Sequence, residues 1–201
     1  MNANGESPDL RLYNADGPPK RIPLITNAVL GVSIFILTEA MLFTGFISGF
    51  IIIKANASGV WPPPDQPRLP IEMTAINSVI LLLSGLLLWT AAKQLKQQRA
   101  SGSTLFLASV ILGCVFVAIQ GYEWVQLIGE GLTLTSSSYG SFFYMIVGMH
   151  ALHALAGLTA LTNMYRYHRA GTHTEDGFQA TRIFWYFVVG LWPVLYWQVY
   201  L

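Results

Sequence analysis

The chain has 201 residues, of which 53% are hydrophobic and only 10% charged, and its net charge is about +1. A soluble domain carries about a quarter charged residues, so the composition excludes an ordinary soluble fold, and the near-neutral balance excludes a basic surface for nucleic acid. The single cysteine, Cys114, lies in an apolar run and rules out an intrachain disulfide or a cysteine-rich metal site.

A bilayer core of about 30 Å needs roughly 20 apolar residues of helix. Five stretches meet that length, approximately 24–53, 71–92, 104–128, 140–165 and 182–200. They predict an all-α polytopic membrane protein with five transmembrane helices in one domain over 24–201, preceded by a polar segment over 1–23. That segment contains Pro18 and Pro19 and no short apolar core ahead of a small-residue cleavage site, so no signal peptide is expected. The connection "NASGVWPPPDQPRLP" (56–70) is too rich in proline to be helical throughout. "KQLKQQRASGS" (93–103) is short and basic, "GEGLTLTSSSYG" (129–140) is polar, and "YRYHRAGTHTEDGFQAT" (165–181) holds most of the remaining charge.

With five spans, Arg11, Lys20, Arg21, Lys93, Lys96, Arg99, Arg166, Arg169 and Arg182 fall on one side, and Lys54 and Arg68 on the other. Basic residues concentrate on the cytoplasmic side, which predicts a cytoplasmic N-terminus and an outside C-terminus. Arg166, Arg169 and Arg182 are then candidates for contact with anionic headgroups.

Ionisable groups within a span are costly and mark candidate sites. The first span carries Glu39, and the second opens with Glu72, beside Arg68 at the interface, and continues to Asn77 and Ser84. The third carries Gln120 and Glu123, and the fourth His150 and His153. His150, His153 and Gly157 share one helix face, as do Ser109, Gly113, Gln120 and Glu123. Gly45 and Gly49 have GxxxG spacing. Such stripes read as the inner faces of a tight bundle, where small residues let helices approach and polar ones bond across the contact.

Two histidines at i, i+3 could share a metal, with Glu39 or Glu123 completing a mixed site. Against this, His168 and His173 belong to the basic connection, and no Glu-x-x-His pairing is present. A hydrogen-bonded His–Glu pair between helices satisfies both groups in a low dielectric and is the better reading. For Glu39, a bond to a neighbouring side chain, a place in a proton relay and a headgroup contact all remain open.

Several segments carry a resemblance. "TEAMLFTGF" (38–46), "WPPP" (61–64) followed by "LPIEMTAINSVILLLSG" (69–85), "QGYEW" (120–124) and "YGSFFYMIVGMHALHALAG" (139–157) follow one another in a familiar order and spacing. Together they resemble subunit III of haem-copper terminal oxidases, the cytochrome c or quinol oxidase subunit 3, in its short five-helix bacterial form. The resemblance runs from about residue 30 to the C-terminus. It implies a non-catalytic subunit in a bacterial inner membrane, which stabilises subunit I, binds phospholipid and supports proton uptake. It implies no metal or cofactor in this chain, with haem and copper held by partner subunits. Subunit I is the chief partner implied, with subunit II and a small subunit IV beside it. The implied polar network and lipid cleft comprise Glu39, Glu72, Asn77, Gln120, Glu123, His150 and His153. The last helix departs from the family, with Tyr186 and Val189 where the family has histidine and aspartate, Pro193 within the helix, and Gln179 in place of a frequent glutamate. Alternatives at this point are a partner of a nitric oxide reductase, a supercomplex-linking subunit, or a stand-alone small transporter or proton channel.

Overall fold

The computed structural model describes residues 26–57, 61 and 66–201. The expected polar segment over 1–23 and the three prolines of "WPPP" lie outside the described residues. The described residues form five helices, each long and apolar enough to cross a membrane: α1 Asn27–Asn56, α2 Ile71–Lys96, α3 Ser101–Gly129, α4 Ser138–Ala170 and α5 Glu175–Tyr200. In a bilayer every backbone N–H and C=O must be satisfied internally, and a helix does this within one segment. At 1.5 Å per residue the 30-residue α1 extends about 45 Å, more than the hydrocarbon core requires.

The observed ends differ most from the sequence expectation at α5, which starts at Glu175 rather than 182. The cause is local. Thr174 caps the helix by accepting a hydrogen bond from the Gly177 N–H, and Glu175 and Asp176 occupy the first turn, where negative charge suits the helix dipole. The basic connection therefore shrinks to a short turn. Arg166 and Arg169 belong to the end of α4, and Arg182 to α5. Gly171 makes that turn possible, closing α4 at a φ of 71° that a side chain would resist. Its N–H bonds the His168 carbonyl while the Thr172 N–H reaches the Tyr167 carbonyl.

The helices α2 and α3 form the tightest hairpin, α4 packs on α3 and α5, and α5 also packs on α2. These four enclose the core, and the α1 backbone packs across α4 and α5. Small residues set the spacings, as the sequence stripes suggested. A Cβ on Gly113 or Gly157 would stand 3.0 Å from the Trp185 ring, and one on Gly85 2.9 Å from Val189. Gly49 packs against Phe142, but Gly45 faces open space, so the GxxxG pair is not one contact face within this chain.

Polar side chains then tie the apolar contacts together. Ser84 and Ser109 donate to each other's backbone carbonyls, at 2.9 and 2.8 Å, stapling α2 to α3. From α5, the Trp185 and Trp192 indoles donate to the hydroxyls of Ser84 and Ser78 at 3.2 and 2.8 Å. Asn77 donates to the Phe116 carbonyl at 3.1 Å.

Candidate functional site

Four of the expected site residues form two clusters, and Glu72, Asn77 and His150 stand outside both. In the middle of α1, Glu39 reaches α4, where its Oε2 lies 3.0 Å from His153 Nε2. The His153 Nδ1 lies 2.7 Å from the Met149 carbonyl one turn earlier. A carbonyl can only accept, so Nδ1 carries a hydrogen. In a neutral ring Nε2 is then an acceptor, and the acid must donate its O–H. In the alternative the ring is charged and donates to a carboxylate. The two groups thus meet inside the span, although Glu39 Oε2 has no hydrogen-bond partner of good geometry among the described residues, so the contact is one of proximity in this conformation. Phe35, Phe43 and Phe184 surround the imidazole, with ring centroids 6.3, 5.6 and 6.2 Å away, and shield it from lipid.

The second cluster is at the end of the bundle where α3 finishes and α2 begins. Glu123 Oε2 accepts from Gln120 Nε2 at 3.0 Å and lies 3.0 Å from the Thr74 hydroxyl. Thr74 is also 2.9 Å from the Pro70 carbonyl, so its one hydrogen is shared between two acceptors. Gln120 Nε2 is 3.4 Å from the Tyr200 hydroxyl, which brings the end of α5 into the group. The cluster joins three helices and stays separate from the Glu39–His153 pair. Glu72 lies outside both, exposed on α2.

His150, only 1% exposed, is the buried one without a partner. Neither ring nitrogen has a hydrogen-bond partner among the described residues. The ring instead packs at a tilt against Trp192, with centroids 4.9 Å apart and planes 32° apart. It lines a cavity of about 130 Å³ with Gln120, Trp124 and Phe116. An unpartnered buried polar group costs about 1–3 kcal/mol, whereas replacing it by an apolar group of similar shape removes that cost. His150→Phe keeps a ring on Trp192, and we expect the variant to be unchanged or up to about 1 kcal/mol more stable. A detergent melt of the purified assembly checks this, and a clear loss would reveal a hydrogen-bond partner outside the chain.

Tyr186 and Val189, the two departures in the last helix, stand in surroundings that suit them unequally. Val189 makes an apolar contact with Gly85. The Tyr186 hydroxyl is buried without a hydrogen-bond partner among the described residues, and nothing in the fold explains it. Among the described residues, no three His, Cys, Asp or Glu side chains converge as a metal site would require.

Sequence reasoning missed Thr74, Ser78, Trp192 and Tyr200. A periodicity signal existed for some of them. Trp185 and Trp192 are seven residues apart on one face of α5, and Thr74 and Ser78 are one turn apart on the face that includes Asn77.

Comparison with known proteins adds a family. The model of the family described as cytochrome c oxidase subunit III matches residues 22–201. The chain is 30% identical over 184 residues to the cytochrome c oxidase subunit 3 of Pelomedusa subrufa, covering 87% of this chain and 69% of the relative. It is 30% identical over 189 residues to that of Latimeria chalumnae, covering 89% and 71%. The Synechocystis protein of the same description is 28% identical over 178 residues, covering 86% and 75%.

Proposed function

Because this chain belongs to the cytochrome c oxidase subunit III family, and so is a multi-pass membrane subunit of a respiratory haem-copper oxidase, we propose that it acts there as a non-catalytic scaffold. In this reading it stabilises subunit I, beside subunit II and a small subunit IV, while haem and copper reside in those partners. The membrane is a bacterial plasma membrane, with the N-terminus cytoplasmic and the C-terminus outside, as the distribution of Lys and Arg favours. Glu39, Asn77, Gln120, Glu123, His150 and His153 serve as internal polar groups of that scaffold, and Glu72 as an interfacial ion. Arg166 and Arg169, exposed at the end of α4, face headgroups. The meeting of two ionisable groups, Glu39 and His153, inside the span supports a part in proton uptake.

The observation that carries the scaffold reading is how α1 is attached. Of its 30 residues only Phe43 and Phe50 are buried, and the Glu39–His153 pair holds its middle to α4. Leu30, Ile34, Leu37 and Met41 recur at helical spacing along one face and are all exposed. A bare apolar face on a helix within a multi-subunit membrane complex suits packing against lipid or a neighbouring subunit.

The test is isolation of the chain from its native membrane in mild detergent, followed by a reduced-minus-oxidised spectrum. Haem bands with oxygen consumption in the same fraction are expected, and haem-free material without a large partner would overturn the proposal. On the same membranes, Gln97→Cys and Thr135→Cys in a Cys114→Ser background report orientation. An impermeant maleimide should label position 97 from the cytoplasmic side and position 135 from outside, and the reverse pattern would invert the topology.

A further inference from the structure

Between α3, α4 and α5 the bundle leaves a cavity of about 130 Å³. Its α4 wall, from Val147 to Leu155, lies about 14 to 26 Å along that helix from Ser138. That is hydrocarbon depth. Four rings form much of the wall, Phe116 and Trp124 from α3, His150 from α4 and Trp192 from α5. Phe116 and His150 both pack on Trp192, with centroids 5.2 and 4.9 Å away, which fixes one side of the cavity. The surface that the wall presents is apolar throughout. The Gln120 Oε1, the Trp124 Nε1 and the His150 nitrogens are buried and offer the cavity no surface. A buried water needs two to four polar partners, so this cavity is suited to stay dry.

Small residues give the cavity its mouth. Gly121 of α3 and Ala151 of α4 line it toward the outside of the bundle, where Gly121 is exposed and Leu155 is 47% exposed. A Cβ on Gly121 would meet nothing within 4 Å. At Gly113 and Gly157, by contrast, the missing side chain lets the Trp185 ring approach. Gly121 therefore serves no close helix contact within this chain, and what it provides is space. Membrane helices associate through close packing, and atoms lining a void lose their contacts on that side. An occupant would restore those contacts.

We propose that this cavity is a binding site for a small uncharged apolar molecule, up to the size of one aromatic ring. An apolar protein cavity of about 150 Å³ stays dry and takes up benzene or xenon. Here the indole and phenyl walls add edge and face contacts that suit a ring. A dissolved gas and a membrane-soluble ring compound share this chemistry, and the mouth on the outside of the bundle admits either. The bound molecule touches α3, α4 and α5 together and stabilises their packing by mass action. The site lies inside this chain, so it goes beyond the scaffold reading and holds whichever partner subunits surround it.

Crystals of the intact complex are pressurised with xenon or soaked with iodobenzene, and the anomalous density is mapped. Each should give a peak enclosed by Phe116, Trp124 and Trp192. A xenon peak without iodobenzene would support the site and assign it to dissolved gases, and peaks from both would extend it to ring compounds. Gly121→Leu and Ala151→Phe each bring an apolar side chain to the cavity and should abolish the peaks. Where iodobenzene binds, it should raise the temperature at which the native subunit leaves the complex, and both variants should lose that shift. Gly129→Ala is the control, because Gly129 faces open space and does not line the cavity. No peak in the native cavity, ordered water or a lipid chain inside it, or peaks that persist in both variants would overturn the proposal. The haem spectrum of the same preparation is read separately. Its absence would sink the subunit reading, while the density would still decide the cavity.

Discussion

Trp185→Ala should release this subunit from its complex under conditions that leave the native assembly intact. Trp185 is wholly buried, and its ring lies against Gly113 of α3 and Gly157 of α4 while its indole N–H reaches Ser84 of α2. One side chain thus touches three other helices. In a bilayer, lipid tails are as apolar as the helix faces, so helix association depends on close packing and hydrogen bonds rather than on removal of apolar surface from water. Truncation forfeits both. Deleting a buried large aromatic costs about 3–5 kcal/mol in soluble cores, and the two facing glycines have no side chains with which to fill the space. A loss of about 3 kcal/mol or more is expected. Trp185→Phe should recover most of the packing while losing the bond to Ser84, at a cost of about 1–2 kcal/mol. The measurement is the fraction of subunit retained with haem after size-exclusion in mild detergent across a temperature series. Equal retention of Trp185→Ala and the native subunit would show that α5 does not organise the bundle.

The difference between what the sequence shows and what the fold adds is visible in particular residues. The five helices are legible because each apolar run exceeds bilayer thickness, and lipid permits no other structure for an isolated run. The inner faces are legible where small and polar residues recur at helical spacing, as at Ser109, Gly113, Gln120 and Glu123, all buried in α3. Which glutamate meets which histidine is not legible. Glu39 reaches His153 because α1 lies across α4 and α5, and that placement depends on shape matching between apolar faces that sequence periodicity does not encode. Glu123, equally intramembrane by sequence, finds Thr74 and Gln120 instead because α2 pairs with α3. Gly45 teaches the same lesson in reverse. Its spacing from Gly49 suits a contact, yet it faces open space because α1 meets its neighbours along another edge. The start of α5 was hidden because the charged residues 175–182 read as a connection, although Thr174 followed by two acids is a helix-start signal.

Glu39→Ala should loosen α1, and Glu39→Gln should not. The pair is nearly enclosed, with side-chain exposures of 10% for His153 and 16% for Glu39. Alanine leaves His153 Nε2 facing Phe35, Phe43 and Phe184 with nothing to bond, and an unsatisfied buried polar group costs about 1–3 kcal/mol. Glutamine offers an N–H where the acid form offers an O–H, so it can still donate to Nε2 while Nδ1 remains bonded to Met149. Its cost should stay below about 0.5 kcal/mol if the native proton resides on the acid. His153→Leu should be damaging alone, because it strands the carboxyl group. Combined with Glu39→Leu it should be milder than either single change, since removing both partners leaves no unsatisfied group. The double-mutant cycle should give a coupling of about 1–2 kcal/mol, at the upper end for a hydrogen bond between membrane helices. The readout is protection of α1 from proteolysis in the purified complex, scored beside proton uptake per turnover. Additive single effects would mean that the 3.0 Å contact contributes nothing. Severe damage from Glu39→Gln, with the coupling intact, would show that the pair works as a charged imidazolium and carboxylate, and that the proton belongs to the histidine.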